Sequence, residues 1–239
     1  MRSIVLVTLA CIALAPTVAL ATPVALATQE LSPALRQVFF LTALSLVPVA
    51  LIAMTSFTRI VIVLSMLRSA LGLQQTPPNV VLITLSLFLT VFSMLPVFQV
   101  AKTNGLDPYM GGNKDLTAAM TSAFIPFKQF MITQTRESDL RSVVAMAGAP
   151  QPHSVTEVQA FHLIPAFMLS ELRTAFQIGF VIFLPFLLID LVVAAILMAL
   201  GMIMVPPATV SLPLKILLFL LINGWVLVSQ AVLGSFHHA

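Results

Sequence analysis

Charge is what this sequence has least of. Of 239 residues, 11 are Lys or Arg and 8 are Asp or Glu, where a soluble domain of this length carries roughly 60 charged residues. With 59% of residues hydrophobic, too few charges remain to coat a water-soluble core. That excludes a soluble globular enzyme, and the apolar content excludes an intrinsically disordered chain. Basic runs are missing as well. The net charge of +3 is scattered, with no stripe that could track a phosphate backbone, so nucleic acid is excluded as a partner. There is one cysteine, Cys11, which leaves no disulfide to form. His153, His162, His237 and His238 include no i, i+4 pair, and no HExxH, GxSxG or glycine-rich phosphate loop occurs. No catalytic site, metal site or cofactor is therefore expected. Glu137 and Asp139, two apart between Arg136 and Arg141, read as a solvated, ion-paired helix face and not as a catalytic dyad.

What the sequence has is long apolar runs. Arg2 followed by the apolar stretch 4–15 and small-x-small sites ending at Ala21 and Ala27 reads as a cleavable signal peptide, residues 1–27, cut after one of those alanines. Ser32-Pro33 marks a helix start. An apolar run then extends from 38 to 71, interrupted by Arg59 and Arg68, and stops at Thr76-Pro77-Pro78-Asn79, where paired prolines forbid continuation. A second run covers 80–100. Residues 101–153 differ in kind: they hold nine of the charges, and Asn104-Gly105 and Gly111-Gly112 mark turns. We expect a small polar subdomain, helical around 117–147. Ser154 and Glu157 have capping-box spacing, and nothing but Pro165 and Pro185 then interrupts a third run up to Gly201. As one helix from 154 it would measure on the order of 70 Å at 1.5 Å per residue, over twice a bilayer core. A fourth run covers 212–233.

The expected fold is all-α: four hydrophobic helical runs plus the polar subdomain. Residues 28–100 and 154–239 would form two long helical hairpins, with 101–153 between them. Arg59 and Arg68 put the first connection in the cytoplasm by the positive-inside rule, and the segment 101–160, which is charge-balanced once Glu157 is counted, on the outer side, in agreement with an exported N-terminus.

Ionisable groups inside these runs are functional candidates, because they are costly there. Asp190 stands alone in apolar sequence, either as a structural group at a helix contact or as the proton carrier of a small transporter. Glu171 and Arg173 are two apart and so point to different faces, with Lys215 a candidate partner for Glu171. Met202, Ile203 and Met204 follow Gly201 in an apolar connector bounded by Pro206-Pro207. Such side chains could form a deformable collar, or merely a turn.

Four blocks carry a resemblance: residues 40–90, containing TSFTRIVIVLSMLRSALGLQQTPPN; FKQFMITQTRESDL at 127–140; PAFMLSELRTAFQIGF at 165–180; and LPFLLIDLVVAAILMALGMIMVPP at 184–207. In this order they resemble the FliP family of bacterial flagellar export proteins, over nearly everything after the leader. The resemblance implies a non-enzymatic core subunit of the flagellar type III secretion export gate in the inner membrane and flagellar basal body. It implies a homo-oligomeric ring, pentameric, completed by FliR, wrapped by FliQ and joined by other export apparatus proteins, with unfolded flagellar subunits passing through the centre. Much of the helical material would rise out of the lipid plane. Met202, Ile203 and Met204 match the family's pore gasket, with isoleucine where methionine is frequent. Glu171 and Lys215 match a charge contact between neighbouring copies, and Asn223 stands where aspartate is common. Virulence type III secretion systems contain an equivalent subunit; the leader and the TRESDL block favour the flagellar branch. A proton-coupled small transporter using Asp190 is the alternative from another class.

Overall fold

A computed structural model describes residues 33–151 and 158–236. The expected signal peptide, the capping pair Ser154 and Glu157, and His153, His237 and His238 lie outside the described residues. The chain divides into two compact units, Met1–Val47 and Pro48–Ala239. The described part of the first is helical, and two of its hydroxyls turn back onto their own helix: Thr42 Oγ1 donates to Val38 O at 2.8 Å and Ser45 Oγ to Thr42 O at 2.7 Å. In an apolar run this satisfies the hydroxyls without an outside partner. All that follows concerns the second unit.

Every described regular element is helical, as expected. α1 (Pro33–Met54) crosses the boundary between the units and is followed by α2 (Phe57–Ala70) and α3 (Asn79–Ala101). A π-helical turn (Lys102–Leu106) and the short α4 (Asp107–Met110) extend α3 without a break. Then come α5 (Leu116–Gln134), α6 (Glu137–Met146), α7 (Ala160–Ala199), α8 (Pro207–Leu221) and α9 (Gly224–Gly234).

α2 lies at the centre. Its buried residues Ile60, Val63, Leu64, Leu67 and Leu71 recur at intervals of three and four, the spacing of one helix face. That face packs on Leu82 and Leu89 of α3, Ala175 and Phe186 of α7, Phe219 of α8, and Val228 and Val232 of α9. α2 makes its most extensive contact with α7, more than with its sequence neighbour α3. A second apolar cluster joins Met131 of α5 to Val158 and to Leu163 and Phe167 of α7, flanked by Phe130 and Leu140. The helices of the polar segment thus pack on α3 and α7. Asp115 precedes α5 at its N-cap, and its carboxyl is held below its usual range first by the Thr117 hydroxyl at 2.6 Å and then by the Leu116 and Thr117 amides.

Three boundaries differ from expectation. Asn104-Gly105 is no turn but part of the π-helical segment. A Cβ on Gly105 would stand 2.7 Å from both Ala119 O and the Ala123 Cβ, so glycine is used here for close approach to α5. The third run begins at Ala160 and continues as one helix through Pro165 and Pro185 to Ala199. Its 40 residues measure about 60 Å. The fourth run is not one helix. Asn223 adopts φ 50°, a left-handed conformation that asparagine tolerates, and α8 and α9 are bent there by 66°.

Among the described residues two helical stretches are long and apolar enough to cross a membrane, Asn79–Met110 and Ala160–Ala199, or three if the bent α8–α9 pair forms one span. Their outward faces stay uncovered: Phe88, Phe92, Phe180, Leu188 and Leu191 are all exposed. Apolar surface of that extent belongs against lipid or partner proteins.

Candidate functional site

Ion pairs buried among apolar helices give this fold its chemistry. Glu171 of α7 is fully buried and the Arg59 side chain is 3% exposed. The guanidinium meets the carboxylate as a fork, Nε to Oε2 at 2.7 Å and Nη2 to Oε1 at 2.5 Å, the bidentate geometry that makes such pairs strong and specific. Its remaining donors are also used. Nη2 donates to Gln134 Oε1 at 3.0 Å, and Nη1 to Ser235 O at 3.2 Å and Ser235 Oγ at 2.9 Å. The Phe236 ring lies 3.9 Å from the guanidinium carbon, within range of a cation–π contact. One arginine thereby ties α2 to α5, α7 and the end of α9. Arg59 is not the loop charge that the topological reading took it for: it is buried in the first turn of α2, whereas Arg68 lies in the last turn.

The junction of α5 and α6 is fastened to the next turns of α7. The Arg136 amide donates to Ser170 Oγ at 3.0 Å, and that hydroxyl donates to Asp139 Oδ2 at 2.7 Å. Arg173 reaches Asp139 Oδ1 at 3.3 Å, and Arg136 Nη2 donates to Gln177 Oε1 at 2.6 Å. Glu137 and Arg141 form the exposed i, i+4 pair expected of a solvated face. Asp139 does not; it faces α7. Glu171 and Arg173 point apart, as their spacing requires.

Asp190 lies further along α7. Its Oδ2 accepts from Lys215 Nζ at 2.6 Å and its Oδ1 from Ser211 Oγ at 2.7 Å. Lys215 is buried and donates also to Ala70 O at 3.3 Å, a carbonyl left free at the end of α2. The Asp190 side chain is 38% exposed. Within one chain, then, Lys215 does not meet Glu171. Nineteen residues of α7 separate Glu171 from Asp190, about 28 Å along the axis, and α8 runs beside the Asp190 end only.

Met202, Ile203 and Met204 occupy the tight connection between α7 and α8. α7 ends in a Schellman motif: Met202 N–H bonds Leu197 O at 2.9 Å and Gly201 N–H bonds Met198 O at 3.0 Å, with Gly201 at φ +74°, where a side chain would be strained. A turn from Met202 O to Val205 N–H follows at 3.3 Å, and Pro207 opens α8 at the position that suits proline best. Ile203 is 87% and Met204 95% exposed. The loop presents thioether and alkyl side chains outward that nothing among the described residues covers. No group of three or more His, Cys, Asp or Glu able to hold a metal occurs among the described residues.

Residues 40–232 match the FliP family. The chain is 48% identical over 208 residues to the flagellar biosynthetic protein FliP of Bacillus subtilis, covering 87% of this chain and 94% of that protein. Against FliP of Caulobacter vibrioides it is 48% identical over 196 residues, 82% of this chain and 74% of the relative. Against FliP of Aquifex aeolicus it is 45% identical over 214 residues, 87% of each.

Proposed function

The chain belongs to the FliP family, whose curated members bear the name flagellar biosynthetic protein, and from that premise we propose that it is a pore-lining subunit of the flagellar protein export gate. In this reading copies assemble as a pentameric ring with FliQ and FliR in the inner membrane, at the flagellar basal body and partly on its periplasmic side. Unfolded flagellar subunits pass through the centre.

The observation that carries the reading is the connection of residues 202–204. An apolar, exposed tip on a short, doubly anchored turn is costly in a lone molecule. Repeated once per copy around an axis it forms a continuous apolar collar, and such a constriction excludes ions by dewetting. The thioethers at 202 and 204 let it widen around a passing chain. The long, uncovered faces of α3 and α7 supply the surface on which neighbouring copies and FliQ pack. Glu171 and Lys215 belong to the same proposal as a contact between copies. Each is already paired within one copy, so a direct bridge between neighbours would form by exchange of partners on assembly. Asp190 is proposed as the structural partner of Lys215.

Co-expression with FliQ and FliR, followed by electron microscopy of the detergent-purified material, tests the reading. The expected result is a closed ring containing several copies, with residues 202–204 at its narrowest point. A free monomer, or a ring with that loop on its outer rim, overturns it; a monomer that moves protons would favour the transporter alternative.

A further inference from the structure

Between the α2–α3 connection and the bent α8–α9 pair lies an apolar cavity of about 500 Å³. Leu73 and Pro77 border it from the connection, Val81 and Leu85 from α3, Phe219 from α8 and Trp225 from beyond the bend. Its volume is within the range of small-molecule sites, but its lining offers almost nothing to orient a polar ligand. The polar group stands beside it. Arg68, in the last turn of α2, donates from Nη1 to Pro77 O at 3.3 Å and to Asn79 Oδ1 at 2.6 Å, and Pro77 itself lines the cavity. Both acceptors are neutral. No carboxylate lies within ion-pair distance of Arg68 among the described residues, unlike Arg59, Arg141 and Arg173. Among these residues its hydrogen bonds leave from Nη1 alone, so Nε and Nη2 of the fork are still available.

We infer that this cavity binds one anionic phospholipid, its acyl chain against Val81, Leu85 and Phe219 and its phosphate on Arg68. The combination selects the ligand class. An unpaired guanidinium presents a planar fork that suits phosphate oxygens, and a cation at the mouth of an apolar groove between membrane helices is the arrangement that recognises an anionic headgroup. A zwitterionic lipid would fill the groove equally well but gain less at Arg68. A free phosphate would gain at Arg68 and nothing from the groove. The inference rests on the reading of these helices as membrane helices, and recovery of the full chain from washed membranes tests that reading separately.

The experiment reconstitutes the full chain into nanodiscs of equal dioleoylphosphatidylglycerol and dioleoylphosphatidylcholine, extracts it in mild detergent, and counts retained lipid by native mass spectrometry. Phosphatidylglycerol should be retained about fivefold over phosphatidylcholine, the preference of one cation at an anionic surface. Arg68→Gln should abolish the preference and Arg68→Lys should keep most of it. Val81→Trp, at an exposed cavity position that leaves the core untouched, should lower retention of both lipids. Equal retention by the unsubstituted protein, or an unchanged preference in Arg68→Gln, overturns the inference. So does full displacement of phosphatidylglycerol by equimolar inorganic phosphate, since the headgroup alone would then suffice. Photocrosslinking from position 81 to a partner protein helix, with no lipid retained, also overturns it and assigns the groove to that helix.

Discussion

Replacing Glu171 with alanine isolates the value of the most buried ion pair. Arg59 makes five hydrogen bonds to side chains and backbone, two of them to Glu171. Glu171→Ala removes those two and the one carboxylate paired with Arg59 among the described residues, leaving a guanidinium that is 3% exposed among neutral acceptors. Breaking a buried pair from one side costs about 3–5 kcal/mol, because the surviving charge stays desolvated. For a chain of this size each kcal/mol moves the midpoint of thermal unfolding by about 2–4 °C, so a fall of about 10 °C is expected. Glu171→Gln keeps an acceptor in place and should fall less. The double variant Arg59→Met, Glu171→Met removes both charges and should recover at least half of the single variant's loss, since apolar replacement of an entire pair is close to neutral. The assay is survival of the detergent-solubilised protein on size-exclusion chromatography after heating. A Glu171→Ala midpoint within about 2 °C of wild type, or a double variant worse than the single, would refute the reasoning.

Three further outcomes are expected. Asp190→Asn can still accept from Lys215 through its amide oxygen and donate to the Ser211 hydroxyl through its NH2, but cannot titrate, so it should assemble with at most a modest loss of yield from the uncompensated Lys215 and still export; a variant that assembles yet exports nothing would show that Asp190 must titrate. Lys215→Ala should lower ring yield on native gels by stranding Asp190, and the swapped double Asp190→Lys, Lys215→Asp should restore part of it; no recovery would mean that the pair is not what fixes α8 to α7. Replacing Met202, Ile203 and Met204 together with alanine should leave assembly intact but raise ion conductance at matched expression, and a variant as tight as wild type would reduce the loop to a turn.

Much of this architecture was legible because hydropathy and proline carry it. The overlong third helix, the stop at Pro77-Pro78 and the apolar connector at 202–204 all follow from local composition. Pairings were not legible. Arg59 and Glu171 are 112 residues apart, and an arginine inside an apolar run has the same sequence signature whether it faces a cytoplasmic headgroup or a buried carboxylate. The asparagine–glycine dipeptide is the sharpest case, since it occurs twice with different outcomes. At Asn104-Gly105 it reads as a turn, yet the chain stays helical because Gly105 lets α5 approach. At Asn223-Gly224, in the middle of an apolar run, it breaks the helix, and a Cβ on Gly224 would overlap the Phe219 ring. Tertiary packing decided both, and the dipeptide alone cannot distinguish them.

The break at Asn223 also bears on how the chain enters the membrane. α8 has 15 residues and α9 has 11, about 22 Å and 17 Å of helix at 1.5 Å per residue, against a hydrocarbon core of about 30 Å. Neither segment can partition sideways out of a translocation channel as a free-standing hydrophobic rod, and the bend exposes backbone groups that lipid cannot satisfy. What makes the pair acceptable to a bilayer is α7, already sixty-odd ångströms of apolar surface, against which Phe219 and Val228 close. In a membrane, α8 and α9 would therefore enter as cargo of an earlier segment: synthesis order, with α7 emerging first, would supply the template that the short helices lack.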